Sequence, residues 1–459
     1  MRLSELRESE IERFIGISGY SSRTPGIGGR IKEELEDFLI WEILSDGLDA
    51  RKAYEGWRGY EEGIGDFTLA VLMKKGIDTI RASTIISRTL KIKPSMLSFC
   101  GIKDKMSISW QFITLPRGLI GGEGLRIDEI LDVKPLKDVS SKLASRALLK
   151  NMFRIRVRGI KPDPETIQEC IKELKRNGLP NFYGHQRFGI TRPITHLVGK
   201  LILEDKLEEA VKIFLAECSP LESEKSREAR RMLSKSWDFR SALEYFPKNL
   251  EYERKVIKYL SENPEDYRGA LRSLPLRLRR LMIESVSALL FNKALSKILE
   301  EGKLQEPEVG DYVIRLGLIG RPEGGRPIIV NRGNLREVER LINLGKLAIA
   351  LPVPGYLSSI PRSWKGDVLI EALEDMGISL EMFRVKSIPE ASTRGSLRPI
   401  TVPRWECKII EYGEDSVLLQ VALPPGSYAT ILLREIMKPK SPLAYIGKIH
   451  KRGEYEAIG

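Results

Sequence analysis

Apolar positions along the chain switch between two periods, and the switches mark its elements. Thr68-Leu-Ala-Val-Leu-Met73 is an apolar run of strand length, as expected of a strand covered on both faces. Asp78 stands as an N-cap before a stretch in which Ala82, Ile85, Ile86 and Leu90 recur at helical spacing, up to Pro94. Leu97-Ser-Phe-Cys100 then leads into the turn Gly101-Ile-Lys-Asp-Lys105. Beyond it Ile108, Trp110 and Phe112 alternate with Ser107, Ser109 and Gln111, the period of a half-buried strand. The unit is strand, tight loop, strand, with a lone acid, Asp104, at its bend.

A second alternation follows in Asn151-Met-Phe-Arg-Ile-Arg-Val-Arg158, where Phe153, Ile155 and Val157 face away from Arg154, Arg156 and Arg158. Asp163 as N-cap and Pro164 at the first position open a helix that buries Ile167, Cys170, Ile171 and Leu174 and ends at Gly178. From Leu201 to Glu300 helical patterns dominate, the longest from about Leu276 to Leu299. Short strand-like pieces come next, Tyr312-Val-Ile-Arg-Leu-Gly and Pro327-Ile-Ile-Val. A last strand, Ser416–Leu423, runs through Pro424-Pro425-Gly426 into a helix with Ala429, Leu432, Leu433 and Ile436 inward. Strands and helices do not alternate strictly, so the expected class is α+β rather than doubly wound.

Charge changes this picture in one place. The 459 residues carry a formal +12, and residues 141–192 alone sum to +8. A soluble basic chain implies a polyanionic partner. The arginine alternation fits either a solvated sheet face or phosphate contacts. Four dispersed cysteines without a CxxC pair, and three histidines, speak against a disulfide framework and a structural zinc site. No apolar run approaches the length of a membrane span, and the charged amino terminus lacks a secretory stretch, so a cytoplasmic protein is expected.

Familiar catalytic patterns are missing. Gly26-Ile-Gly-Gly29 has no preceding strand and neither nucleotide-loop spacing, and reads as a flexible turn. His185 and His196 lack metal-ligand spacing, and Ser427 lacks a nucleophile elbow. What is left is the carboxylate in Gly101-Ile-Lys-Asp104-Lys105. It is either a surface turn residue or a nucleophile that adjacent cations keep ionised.

Five separated stretches resemble the TruD family of pseudouridine synthases, enzymes that convert uridine 13 of tRNA to its C-glycoside isomer. They are Gly29-Arg-Ile-Lys-Glu-Glu-Leu-Glu-Asp-Phe38, Gly101-Ile-Lys-Asp-Lys-Met-Ser-Ile-Ser-Trp-Gln111, Asn151-Met-Phe153, Pro180-Asn-Phe-Tyr-Gly-His-Gln-Arg-Phe-Gly189 and Leu423-Pro-Pro-Gly-Ser-Tyr-Ala-Thr-Ile-Leu-Leu-Arg-Glu435. Ser287-Ala-Leu-Leu-Phe-Asn292 also resembles a family segment. The resemblance implies a pseudouridine-synthase-like catalytic domain with a mixed or antiparallel sheet, residues 1–192 with 391–459, and an inserted α+β domain, residues 193–390.

It makes Asp104 the catalytic aspartate, Lys32 the active-site lysine and Phe153 the aromatic that stacks on uracil. Asn151, Gln111 and Lys103 fall on motif partners. Arg154, Arg156, Arg158 and Arg187, with Lys150, become candidates for holding tRNA phosphates. Without the resemblance, periodicity makes Phe153 a core residue on the Ile155 and Val157 face, and Lys32 reads as an ordinary surface lysine. Isomerisation needs no redox change, so no cofactor and no metal are expected, and neither is a membrane. Asp104 either attacks C1′ or acts as a base toward the 2′-hydrogen. The other classes weighed are a non-catalytic RNA-binding protein on the same scaffold and a methyltransferase, for which no cofactor loop is seen.

Overall fold

In the computed structural model, which describes residues 3, 6–161, 163–317 and 320–446, the strands form two sheets. The larger begins with β1 (Phe38–Leu44), β2 (Phe67–Lys75), β3 (Ser98–Phe99), β4 (Ile108–Pro116), β5 (Leu125–Ile127), β6 (Leu131–Val139) and β7 (Leu148–Arg158). The chain then builds a smaller sheet from β8 (Tyr312–Arg315), β9 (Ile328–Ile329), β10 (Leu347–Val353) and β11 (Ser396–Pro399). It returns to the larger sheet as β12 (Glu406–Tyr412) and β13 (Ser416–Leu423).

Strand order in the larger sheet is β12-β13-β7-β1-β4-β2-β6-β5, with β3 against β4. β1 and β4 run parallel and the other pairs antiparallel, so the sheet is mixed. The strand–loop–strand unit around Asp104 is the antiparallel pair of β3 and β4, with Phe99 opposite Ile113. The helix expected after Asp78 spans Thr79–Thr89, and the Asp78 carboxylate accepts from the backbone N–H groups of Ile80 and Arg81 at 2.9 Å. β2 extends past its apolar run to Lys75. The smaller sheet takes its last strand from residues 396–399, beyond the limit at 390 expected from sequence, because β11 pairs with β10 from Val353↔Ser396 to Ala350↔Pro399.

One apolar cluster runs from β1, β7 and β13 through the helix Leu276–Glu300 to β10. That helix is covered around most of its circumference, which accounts for the lack of a single apolar stripe in its sequence. It packs closely on the helix Thr195–Leu203, where a Cβ on Gly199 would fall 1.9 Å from the Met282 carbonyl oxygen. No helix among the described residues is long and apolar enough to cross a membrane.

Candidate active site

Pairing in the larger sheet brings separated residues onto one face. Phe38, Ile40 and Glu42 of β1 stand opposite Ile155, Phe153 and Asn151 of β7, and Leu423 of β13 stands opposite Asn151. Strand periodicity puts all of them on the same side. Lys74 of β2 pairs with Ser109 of β4, and Leu72 with Gln111.

The loop bearing Asp104 is tied down on this face. The buried Lys103 ammonium lies 2.7 Å from Glu42 Oε1 and donates to Asn151 Oδ1 at 2.8 Å. Glu42, itself buried, accepts from the Phe112 backbone N–H at 2.9 Å. The Lys103 backbone N–H donates to Thr79 Oγ1, whose hydroxyl donates to Gln111 Oε1 at 2.8 Å. The Asp104 carbonyl accepts from Lys74 Nζ at 2.7 Å and Ser107 Oγ at 2.8 Å. A buried ion pair tolerates no loss of a partner, so Lys103–Glu42 fixes the loop to β1 firmly.

The carboxylate of Asp104 is the part left accessible, with 21% of its side chain exposed. Lys32 Nζ donates to Oδ2 at 2.8 Å, and Gln186 Nε2 donates to Oδ1. Burial alone would push this carboxyl up. The Lys32 ammonium and the two hydrogen bonds outweigh it and hold Asp104 below the ordinary carboxylate range, so it is ionised at neutral pH. Lys32 also stands 4.4 Å from the centre of the Phe38 ring, and Phe38 meets Phe153 edge-on at 6.0 Å.

Local backbone delivers Lys32. The segment read as a flexible turn is packed instead: Gly28 N–H donates to the Met437 carbonyl and Arg30 N–H to the Arg158 carbonyl. A Cβ on Gly29, at φ +85°, would fall 2.4 Å from Ile160 Cγ2. Three residues on, Lys32 itself holds φ +60°, a conformation that a side chain other than glycine adopts at a cost. Gln186 is delivered by the helix Leu276–Glu300, whose buried Asn292 donates to the carbonyls of Ile15 and Tyr183 and accepts from the Tyr183 N–H.

The structure therefore brings Asp104, Lys32, Lys103, Asn151 and Phe153 together on one face. Phe153, 8% exposed, remains part of the core with Ile155 and Val157. Gln111 does not reach the opening: it is fully buried and bonds Thr79 beneath the loop, a positioning contact rather than a substrate contact. Arg154, Arg156 and Arg158 are not brought to Asp104 either, because alternation along β7 sends them to the opposite face. There they bond Gln420, Glu411 and Asp37, and Lys150 sits further along the same face. Arg187, next to Gln186, lies at the site's edge, paired with Glu284 at 2.9 Å and 5.3 Å from the Tyr183 ring centre.

Glu42, Lys74 and Gln186 were not singled out from sequence. The first two carried a signal, since each is a charged residue in phase with buried apolar neighbours, Phe38 and Ile40 or Ala70 and Leu72. Gln186 carried none of its own.

Residues 14–436 match the model of the family described as tRNA pseudouridine synthase D (TruD). The chain belongs to the TruD family. It is 34% identical over 449 residues to a probable tRNA pseudouridine synthase D of Methanosarcina mazei, covering 94% of this chain and 98% of that one. Similar relatives come from Archaeoglobus fulgidus, 34% identical over 443 residues (93% and 99% covered), and Pyrococcus abyssi, 33% over 428 (91% and 98%). The crystal structure of a putative TruD from Methanosarcina mazei superposes with a TM-score of 0.75 at 31% identity, covering 96% of this chain and all of that one. The mixed sheet and the site face described above are thus those of a TruD-family chain.

Proposed function

We propose that this chain isomerises uridine to pseudouridine in tRNA, at position 13, with Asp104 as the reacting carboxylate. The observation that carries the reading is the ionised Asp104 side chain, partly open and held by Lys32 and Gln186 above a face bearing Phe153 and Asn151.

In the proposed reaction the C1′–N1 bond breaks while Asp104 either bonds C1′ or removes the 2′-hydrogen. The freed uracil turns and C5 bonds C1′ as the Asp104–C1′ bond breaks or, in the other route, as the proton taken from C2′ is returned to it; the C5 proton then leaves to solvent and N1 gains a proton. Substrate and product have the same atoms and oxidation level, so the scheme calls for no cofactor. Phe153 supplies a surface for the detached base, and stacking of this kind contributes about 1–3 kcal/mol while tolerating in-plane rotation. A nucleotide in folded RNA has to be flipped out to reach Asp104, at a cost of a few kcal/mol that phosphate contacts offset.

Cations placed for such contacts include Arg187 at the edge of the site and Arg277, two helical turns before Glu284 on the same helix face. Residues 268–280 add Arg268, Arg272, Arg279 and Arg280 without an acid among them. Arg272, Arg279 and Arg280 all converge on Glu390, the first two on its carboxylate and Arg280 on its main-chain carbonyl. The division into a catalytic domain and an inserted one, with tRNA between them and the protein in the cytoplasm, belongs to the same reading.

The test is tRNA transcript labelled with tritium at uracil C5. Wild type releases label to solvent without added cofactor and Asp104→Asn does not; release by Asp104→Asn at the wild-type rate removes Asp104 from the mechanism.

A further inference from the structure

The proposed scheme leaves unused a buried lysine that touches the reacting residue. Lys74 lies near the end of β2 with its side chain fully buried. Its Nζ donates at 2.7 Å to the Ile77 carbonyl and at 2.7 Å to the carbonyl of Asp104 itself. A lysine amine is seldom fully buried away from a carboxylate partner, because desolvating the charge is costly. Here both acceptors are main-chain carbonyls, and one belongs to the residue that carries the chemistry.

We propose that Lys74 is a positioning residue for the isomerisation, pinning the main chain of Asp104 to the end of β2 so that the sheet, not the loop, sets the direction of the carboxylate. The inference rests on the reading of Asp104 given above. The loop has no regular structure of its own between Phe99 and Ile108. Its side-chain anchors pull in different directions: Lys103 binds toward β1 and β7, Thr79 holds the Lys103 N–H, and Lys74 with Ser107 holds the Asp104 carbonyl. Lys74 is the anchor joining Asp104 directly to a long strand. Since a misplacement of about 1 Å costs on the order of 100-fold in rate, an anchor on the reacting residue's own carbonyl has leverage that a remote packing contact lacks.

The donor count fits a neutral amine. An amine has two N–H bonds and an ammonium three, and two acceptors are in place. Burial pushes Lys74 down to about 7, against the pull of the Asp104 and Asp78 carboxylates and helped by Lys103. Those are the charged groups around it, from the loop and from the start of the helix Thr79–Thr89. Its cross-strand neighbours, Ser109 on β4 and Leu131 on β6, do not titrate in this range. Protonation changes the donor set and the charge beside the Asp104 carbonyl, so kcat responds to pH around neutrality through this anchor.

Lys74→Met keeps the buried stem and removes both donors. With tritiated tRNA at saturating and limiting concentration, the expected result is kcat lower by roughly 100-fold with KM within about two-fold of wild type. The wild-type change in kcat around neutral pH is absent from the variant. Wild-type kcat in Lys74→Met, or a loss confined to KM, overturns the proposal. Where Lys74→Met gives no cooperative melting transition, Ser107→Ala decides instead, as it removes the other donor to the same carbonyl: lower kcat with unchanged KM supports the anchor, and unchanged kcat overturns it. Wild-type protein that releases no tritium condemns the functional reading rather than Lys74.

Discussion

Lys32 Nζ meets Asp104 Oδ2 at 2.8 Å, and it does so from a backbone held at φ +60°. A strained non-glycine residue is retained only where the surroundings impose it, here the packed glycine segment on one side and the carboxylate on the other. Lys32→Met should therefore fold, lower kcat by roughly 100-fold or more, and leave tRNA binding near wild type. With the ammonium gone, burial dominates and the Asp104 carboxyl moves up. The group's charged form is then lost at higher pH on acidification, so the acid limb of the kcat profile should shift to higher pH in the variant. An unshifted limb would separate that limb from Asp104.

Phe153 serves the core and the proposed base platform at once, and two substitutions separate the roles. Phe153→Ala should cost about 3–5 kcal/mol of stability through the cavity it leaves beside Phe38 and Ile155. Phe153→Leu retains most of the packing, with a cost of about 1–2 kcal/mol, but presents no ring face. Thermal melts should rank the variants wild type, Leu, Ala, while kcat should fall in both. Full activity in Phe153→Leu would leave the ring with packing alone.

Binding of tRNA should depend steeply on salt, and the arginines of residues 268–280 should add to the slope. Arg268 and Arg277 are exposed. Replacing both by Gln should flatten the plot of log K against log salt by roughly 0.7–0.9 for each phosphate that is no longer neutralised, with kcat at saturating tRNA unchanged. Filter binding at several salt concentrations measures this, and parallel plots would exclude these two arginines from the interface.

Stability should fall on mild acidification because of His196. Its ring lies between Phe14 and Phe188, at 5.0 and 5.5 Å between centroids, and burial pushes it down to about 3. The unfolded chain takes up a proton near 6.5 and the folded chain does not, so the native state loses ~2 kcal/mol between pH 7 and 5 from this residue alone. Asp104 acts with the same sign but lower down: its depressed carboxyl stabilises the fold above about 4, and that contribution is lost as the pH falls below it. His196→Phe should flatten the Tm profile between about pH 5 and 7.

Regular elements were legible wherever one period held. Ser416–Leu423 is β13 residue for residue, and Asp78 and Asp163 cap the helices they were expected to cap. The motif stretches located Asp104, Lys32 and Phe153, but periodicity alone left Phe153 as core. The arginines show the limit most plainly. Their alternation with Phe153 is visible in the sequence and already implies the opposite face, whereas the local charge excess says nothing about which face the cations occupy. Lys74 and Gln186 depend on pairings over 30 and 82 residues, made by tertiary packing that no local pattern encodes. The Glu390 cluster was hidden because acids elsewhere in residues 193–390 cancel its charge.

The placement of β7 between β1 and β13 has a bearing on biosynthesis. β7 ends at Arg158 and its second neighbour begins at Ser416, so on the ribosome one edge of β7 waits roughly 10–50 s for its partner at about 5–20 residues per second. Through that interval a nascent chain displays an unpaired strand with Phe153, Ile155 and Val157 on one side. The arginines on its other side then act as gatekeepers, repelling a like edge on a neighbouring polysome until the carboxy-terminal hairpin arrives.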